Sequence, residues 1–175
     1  MSSGILGLMG EIEQLEGLDF RERTPKSVCA CVARIFQVRE TEVALLRLSG
    51  TLLNFLHPAE LRTAGAIPIA SSSVAAQTAR SKQAELFNSF AKVAHFSVFE
   101  LVKLGDSGLD EQVIQKLMSA PVLAANGKVI GVIQVSRKAS RPAMAGPDFT
   151  PNDLRKLEKV GRFVGKLMAN RVAFA

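Results

Sequence analysis

Two long apolar stretches, Ile114 to Ala124 and Lys128 to Arg137, flank an Asn126-Gly127 pair and predict a β-hairpin, because Asn-Gly accepts the positive φ of a tight turn. The second stretch is apolar on both parities, Ile130 and Val132 on one and Val129, Ile133 and Val135 on the other, the pattern of a central strand covered on both faces. Pro121 cannot donate a ladder hydrogen bond, so it belongs at a bulge or an edge. Gly131 lets something approach the backbone closely.

From the start of the chain, Ile5, Leu8, Ile12 and Leu15 keep a three-four spacing that predicts a helix from about Ile5 to Glu16, with a narrow apolar seam that needs a partner helix. Thr24-Pro25 opens a second helix, Thr as cap and Pro in the first turn, with Val28, Val32, Ile35 and Phe36 facing a sheet. Glu42 to Ser49 and Thr51 to His57 pair as strands about Ser49-Gly50. That pairing puts Arg47 and Asn54 on one face with Val43, Leu45 and Leu52, where they either line a cavity or sit at a partly solvated edge. Pro58 to Gly65 reads as loop, Ser71-Ser-Ser73 as a run of possible caps for a short helix through about Arg80, and Ala84 to Phe87 as a short strand. Residues Phe90 to Val102 have helical propensity without a single apolar stripe, and loops follow at 105–108 and 139–148. Thr150-Pro151-Asn152-Asp153 starts a closing helix whose buried side is Leu154, Leu157, Val160, Val164, Leu167 and Met168. Gly161 and Gly165, four apart, predict close approach of another helix.

A chain of 175 residues with 47% hydrophobic content is sized for one domain with an ample core. No run approaches a bilayer-spanning length and the N-terminus lacks a basic region before an apolar core, so a cytoplasmic location and no membrane partner are expected. The net charge of +6 raises nucleic acid as a partner, with Arg155, Lys159, Arg162 and Lys166 lining one face of the closing helix. No helix-turn-helix, finger or stacking platform accompanies them, so nucleic acid is not expected and the stripe reads as a solvated face. Cys29 and Cys31, two apart on a helix, point to different faces and read as small buried side chains. His57 and His95 have no acidic or thiol partner at ligand spacing, so no metal is expected. The aromatics concentrate at Phe87, Phe90, Phe96 and Phe99, interleaved with Asn88 and His95. Apolar walls with a few polar groups suit a small-molecule pocket, and the competing reading is plain core.

The run Ser119-Ala-Pro121-Val-Leu, then Asn126-Gly-Lys-Val-Ile-Gly131-Val, then Phe149 before a long helix resembles the second half of a GAF domain. Ser71-Ser-Ser-Val74-Ala-Ala-Gln-Thr-Ala79-Arg80 followed by Glu85-Leu-Phe-Asn88 resembles that family's short helix and next strand, so the resemblance covers roughly residues 24 to 172. It implies an α+β, PAS-related fold: an antiparallel sheet of about six strands, terminal helices on one face and a pocket side on the other. It also implies dimerisation through terminal helices and places the pocket on the side of the phenylalanine cluster. The division expected is an N-terminal helical extension, residues 1–23, and a GAF-like domain, residues 24–175.

Subfamily signatures are absent. The chain is similar in fold family to free-methionine sulfoxide reductases, but those need cysteines around the pocket, whereas Cys29 and Cys31 precede the first strand. Asp110-Glu111 lacks the phenylalanine of the cyclic-nucleotide signature, and Ala66-Ile67-Pro68 comes with no bilin-attachment cysteine in the second half. With no nucleophile elbow, phosphate loop or zinc-protease motif either, the reading is a regulatory domain without catalysis, its small-molecule ligand unidentified and no cofactor assigned. The ligand candidates are Phe87, Asn88, Phe90, His95, Phe96, Phe99, Arg47 and Asn54, and a homodimer through the first and last helices would pass the signal to a partner in trans. The alternatives are a structural dimerisation module with a collapsed pocket and a redox enzyme using a cysteine.

Overall fold

In the computed structural model, residues 23–90, 112–170 and 174 are described. The elements are α1 (Pro25–Phe36), β1 (Val43–Ser49), β2 (Leu52–His57), β3 (Ala66–Pro68), α2 (Val74–Ser81), β4 (Glu85–Phe87), β5 (Val113–Leu123), β6 (Val129–Ala139) and α3 (Pro151–Ala169). The strands form one six-stranded antiparallel sheet in the order β3-β2-β1-β6-β5-β4. The sheet divides the molecule into two cores. On one face α1 and α3 bury Val28, Val32, Phe36, Leu157, Val160 and Val164 against Val43, Leu45, Met118, Ala120, Ile133 and Val135. On the other, α2 and Phe90 close over Ala44, Leu46, Phe55, Leu117 and Val132. The double-parity strand expected from the sequence is β6, central in the sheet with β1 and β5 beside it.

The helix starts follow from side-chain chemistry. Thr24 and Thr150 each accept from the third residue on, Ser27 and Asp153, whose side chains answer the cap N–H, and Pro25 and Pro151 occupy the first turn. At α1's other end Gln37 takes a left-handed conformation, φ 54°, and closes the helix by donating to Ala33 and Arg34 carbonyls.

Several expectations need correction. Of the Asn126-Gly127 pair in the β5–β6 connection only Gly127 (φ +80°) takes positive φ: its N–H donates to Ala124 O, and Ala124 pairs back to Lys128. This is a type I turn closed by a left-handed glycine, with Asn126 accepting from Lys128 N–H through its side chain. The β1–β2 turn falls at Gly50-Thr51, because Ser49 pairs with Leu52 and Arg47 with Asn54. The register moves by two, so the same residues keep the same face. Strand β3 at Ala66–Pro68 lies where no strand is expected, too short to show an alternation.

Gly161 and Gly165 do not admit another helix. Both are buried against β5, where a Cβ on Gly161 would stand 2.5 Å from Pro121 O and one on Gly165 would overlap Leu123 O. Pro121 pairs with Val132 of β6, while β4 reaches only Leu117 to Ser119 of β5. Among the described residues no strand pairs with β5 beyond β4, and α3 packs along this length instead, which is why proline is tolerated there. Gly131 is approached by β1: a Cβ would overlap Leu46 O and stand 3.4 Å from the Met168 terminal methyl. The first predicted helix and nearly all of the Phe90 to Val102 stretch lie outside the described residues.

Candidate functional site

The α2 side of the sheet holds a small cavity lined by Ile67, Ser73, Val74, Ala75, Phe90, Ile114, Leu117 and Gln134. It offers the centre of a water molecule about 10 Å³, near the minimum for one water. Among these residues only Ser73 and Gln134 bring side-chain polarity. Ser73 caps α2 by accepting from Ala76 N–H at 3.2 Å.

Gln134 heads a buried polar chain. Its Nε2 donates to Ser119 Oγ at 3.2 Å, Ser119 Oγ lies 2.7 Å from Thr78 Oγ1, and Thr78 Oγ1 lies 2.9 Å from Val74 O. A carbonyl can only accept, so Thr78 donates to Val74, Ser119 donates to Thr78, and each hydroxyl is used once in each role. The order of donors is thereby set from Gln134 to α2, locking helix to sheet on the cavity floor. Sequence reasoning missed this chain, although its signal was present: Ser119 and Gln134 are polar residues inside otherwise apolar strands, and such residues are buried only with partners.

The sequence candidates divide between the two faces. Phe90 lines the cavity, and Phe87 packs edge-on against it with ring centroids 5.9 Å apart. Asn88 is committed elsewhere: its Nδ2 donates to Phe149 O and its Oδ1 accepts from Phe149 N–H, both at 2.9 Å. Arg47 and Asn54 lie opposite each other on the α1/α3 side, away from the cavity. Arg47 donates to Phe174 O at 2.6 Å, and Asn54 is exposed, so these two share no site with Phe90. His95, Phe96 and Phe99 lie outside the described residues.

Phe149 is a junction on the α1/α3 side. The Arg137 guanidinium lies 4.7 Å from its ring centroid and donates to Phe36 O and Gln37 O, each at 3.2 Å, at the end of α1. Lys116 Nζ reaches Gly146 O and Asp148 Oδ1, each at 2.7 Å, and fixes the approach to α3.

The other titratable candidates have structural surroundings. His57 is buried, 3.1 Å from Glu40 O; that carbonyl only accepts, so Nε2 carries the proton. Among the described residues no three His, Cys, Asp or Glu converge as metal ligands, and no helix is long and apolar enough to cross a membrane. Cys29 and Cys31 are both in α1 and fully buried, on the opposite face of the sheet from the cavity. Burial, with a smaller contribution from Glu40, pushes the Cys29 thiol far above its ordinary range. Both thiols are therefore expected to resist a soluble disulfide reagent in the folded protein and to react at once in denaturant; fast labelling under native conditions would contradict this packing.

Arg155, Lys159, Arg162 and Lys166 are all exposed on the outer face of α3. Like charges there oppose pairing of two α3 helices along that stripe.

No curated protein matches the sequence. The structure is similar to the GAF domain of an Acinetobacter phosphoenolpyruvate-protein phosphotransferase, with TM-score 0.69 and 14% identity over 99% of this chain and 98% of that one. It is also similar to the A. aeolicus nlh2 GAF domain, TM-score 0.61 and 15% identity over 96% of each chain. A third likeness is to the free methionine-R-sulfoxide reductase of Neisseria meningitidis, TM-score 0.62 and 16% identity over 99% of this chain and 95% of that one. At these identities the likenesses concern the fold, but the sequence itself matches the GAF domain family over residues 23–168, so the chain belongs to the GAF domain family.

Proposed function

We propose that this GAF domain is a sensory or regulatory module, without catalysis of its own, that takes an unidentified small molecule between α2 and the sheet. The observation that carries the reading is the cavity itself: apolar walls of Phe90, Ile114 and Leu117 meet a polar floor whose hydrogen bonds run from Gln134 into α2. Walls of this kind supply burial and the floor supplies orientation. A ligand of useful size requires α2 to shift outward, and only its differential affinity for that arrangement can drive the shift. The signal would pass through a homodimer built on the terminal helices, off the cationic stripe of α3, to a partner in trans. The cytoplasm is the proposed location. A thiol reductase reading finds no support in this geometry, because neither buried cysteine faces the cavity.

The small volume favours one rival, a structural dimerisation module whose pocket is collapsed. Melting temperature against a panel of metabolites separates the two, since a ligand at a hundred times its Kd adds about 2.7 kcal/mol. At least one compound is expected to stabilise the natural chain and to lose its effect in Ala75→Leu, which fills the cavity. A panel without effect on either protein favours the collapsed module.

A further inference from the structure

We infer that Asn88 is the positioning residue that transmits the state of the α2-side cavity to the helices on the opposite face of the sheet. The sheet separates the two cores, and β4 is its last strand, so a short connection between them runs around the β4 edge. Residues 87–90 make that crossing. Phe87 and Phe90 belong to the cavity side, and Asn88, between them, reaches Phe149 in the other core. Its carboxamide holds both the N–H and the C=O of Phe149, the pairing a neighbouring strand would make, immediately before the Thr150 cap of α3. Two bonds fix translation and tilt together. Phe149 in turn underlies Arg137, which holds the last carbonyls of α1, so one displaced residue addresses the start of α3 and the end of α1 at once.

This builds on the reading of the cavity as a ligand site, yet its test needs no ligand. Phe90→Leu and Phe90→Ala change the cavity stepwise, and amide chemical shifts report local geometry rather than global stability. In the natural background the Asn88 side-chain amide and the backbone amides of Phe149, Thr150 and Asp153 are expected to move progressively from Phe to Leu to Ala. With Asn88→Ala the same series should leave Phe149, Thr150 and Asp153 in place. If that variant does not fold, Asn88→Asp keeps the acceptor for Phe149 N–H and removes the donor to Phe149 O, and should reduce the response. Shifts at Thr150 and Asp153 that are absent in the natural background, or that persist unchanged without the Asn88 amide, overturn the inference. Failure to find any stabilising metabolite would instead count against the ligand reading and leave the mechanical coupling standing.

Discussion

Replacing Gly165 by alanine is expected to be among the most damaging single substitutions in this protein. An added methyl would overlap Leu123 O, stand 2.7 Å from Leu123 C and 3.3 Å from Leu123 N. These are backbone atoms of β5, which cannot turn aside as a side chain end would. Either α3 lifts from the strand or β5 distorts where it pairs with β6 near its bulge. Alanine gains about 1 kcal/mol of helix propensity over glycine, whereas overpacking of a rigid contact costs about 1–3 kcal/mol or more. Because the overlap is with backbone, the upper end applies, and a net loss of about 2 kcal/mol or more is expected in denaturant titration. An exposed control on the same helix, Lys159→Ala, should stay within about 0.5 kcal/mol of the natural chain. Equal stability of Gly165→Ala would mean that α3 does not lie on β5 as described.

Loss of the Glu42 carboxylate is the second large effect expected. Glu42 is 6% exposed. Its Oε2 accepts from Arg39 N–H at 2.8 Å, and its Oε1 accepts from Arg39 Nη2 at 2.7 Å and from Lys138 N–H at 2.9 Å. One side chain thus serves the N-terminal approach to β1 and the end of β6. Burial alone, the largest influence, would raise its pKa, but the Arg39 side chain and the two backbone N–H groups outweigh it and hold the carboxyl below its usual range. A carboxyl whose pKa is lowered by folding contributes its stability in full above its unfolded value, about pH 4.3, and loses it as the pH falls through the folded value. The natural protein should therefore weaken as acid is added below about pH 4.3. Glu42→Ala should cost about 3 kcal/mol at pH 7, because it strips charged acceptors from two backbone donors. Glu42→Gln should flatten the acid limb. A variant with the unchanged acid limb would show that another carboxylate is responsible.

Much of the fold was legible because its signals are local. The caps Thr24 and Thr150, the doubly covered β6, and Pro121 at a strand edge each follow from a few adjacent residues. Period-two alternation also put Arg47 and Asn54 on one face, and a turn displaced by two residues left that intact. Alternation does not say what covers a face. It therefore could not tell that Arg47 and Asn54 look toward the α1/α3 side while Phe90 looks the other way. The glycines of α3 announced a close approach but not the identity of the neighbour, and a strand carbonyl uses the gap as well as a helix would. Asn88 and Phe149 are 61 residues apart, and the Ser119 to Thr78 bond spans 41. Nothing local says which partner waits at that distance. Ser119 and Gln134 still carried a signal of burial with partners, as polar residues whose positions in apolar strands could have marked the cavity floor.

The proposed function requires that a small molecule enter the α2-side cavity. The direct measurement is amide and side-chain shift mapping of the labelled protein on titration with a compound that raises its melting temperature. The chain has no Trp and no Tyr, so ligand absorption or fluorescence near 280 nm can be followed in the same samples with little protein background. Saturable changes are expected, centred on the Gln134 side-chain amide, Ile114, Leu117 and the α2 residues Val74 and Ala75. Changes confined to the α1/α3 face, with Gln134 and Leu117 unmoved at saturation, would contradict it.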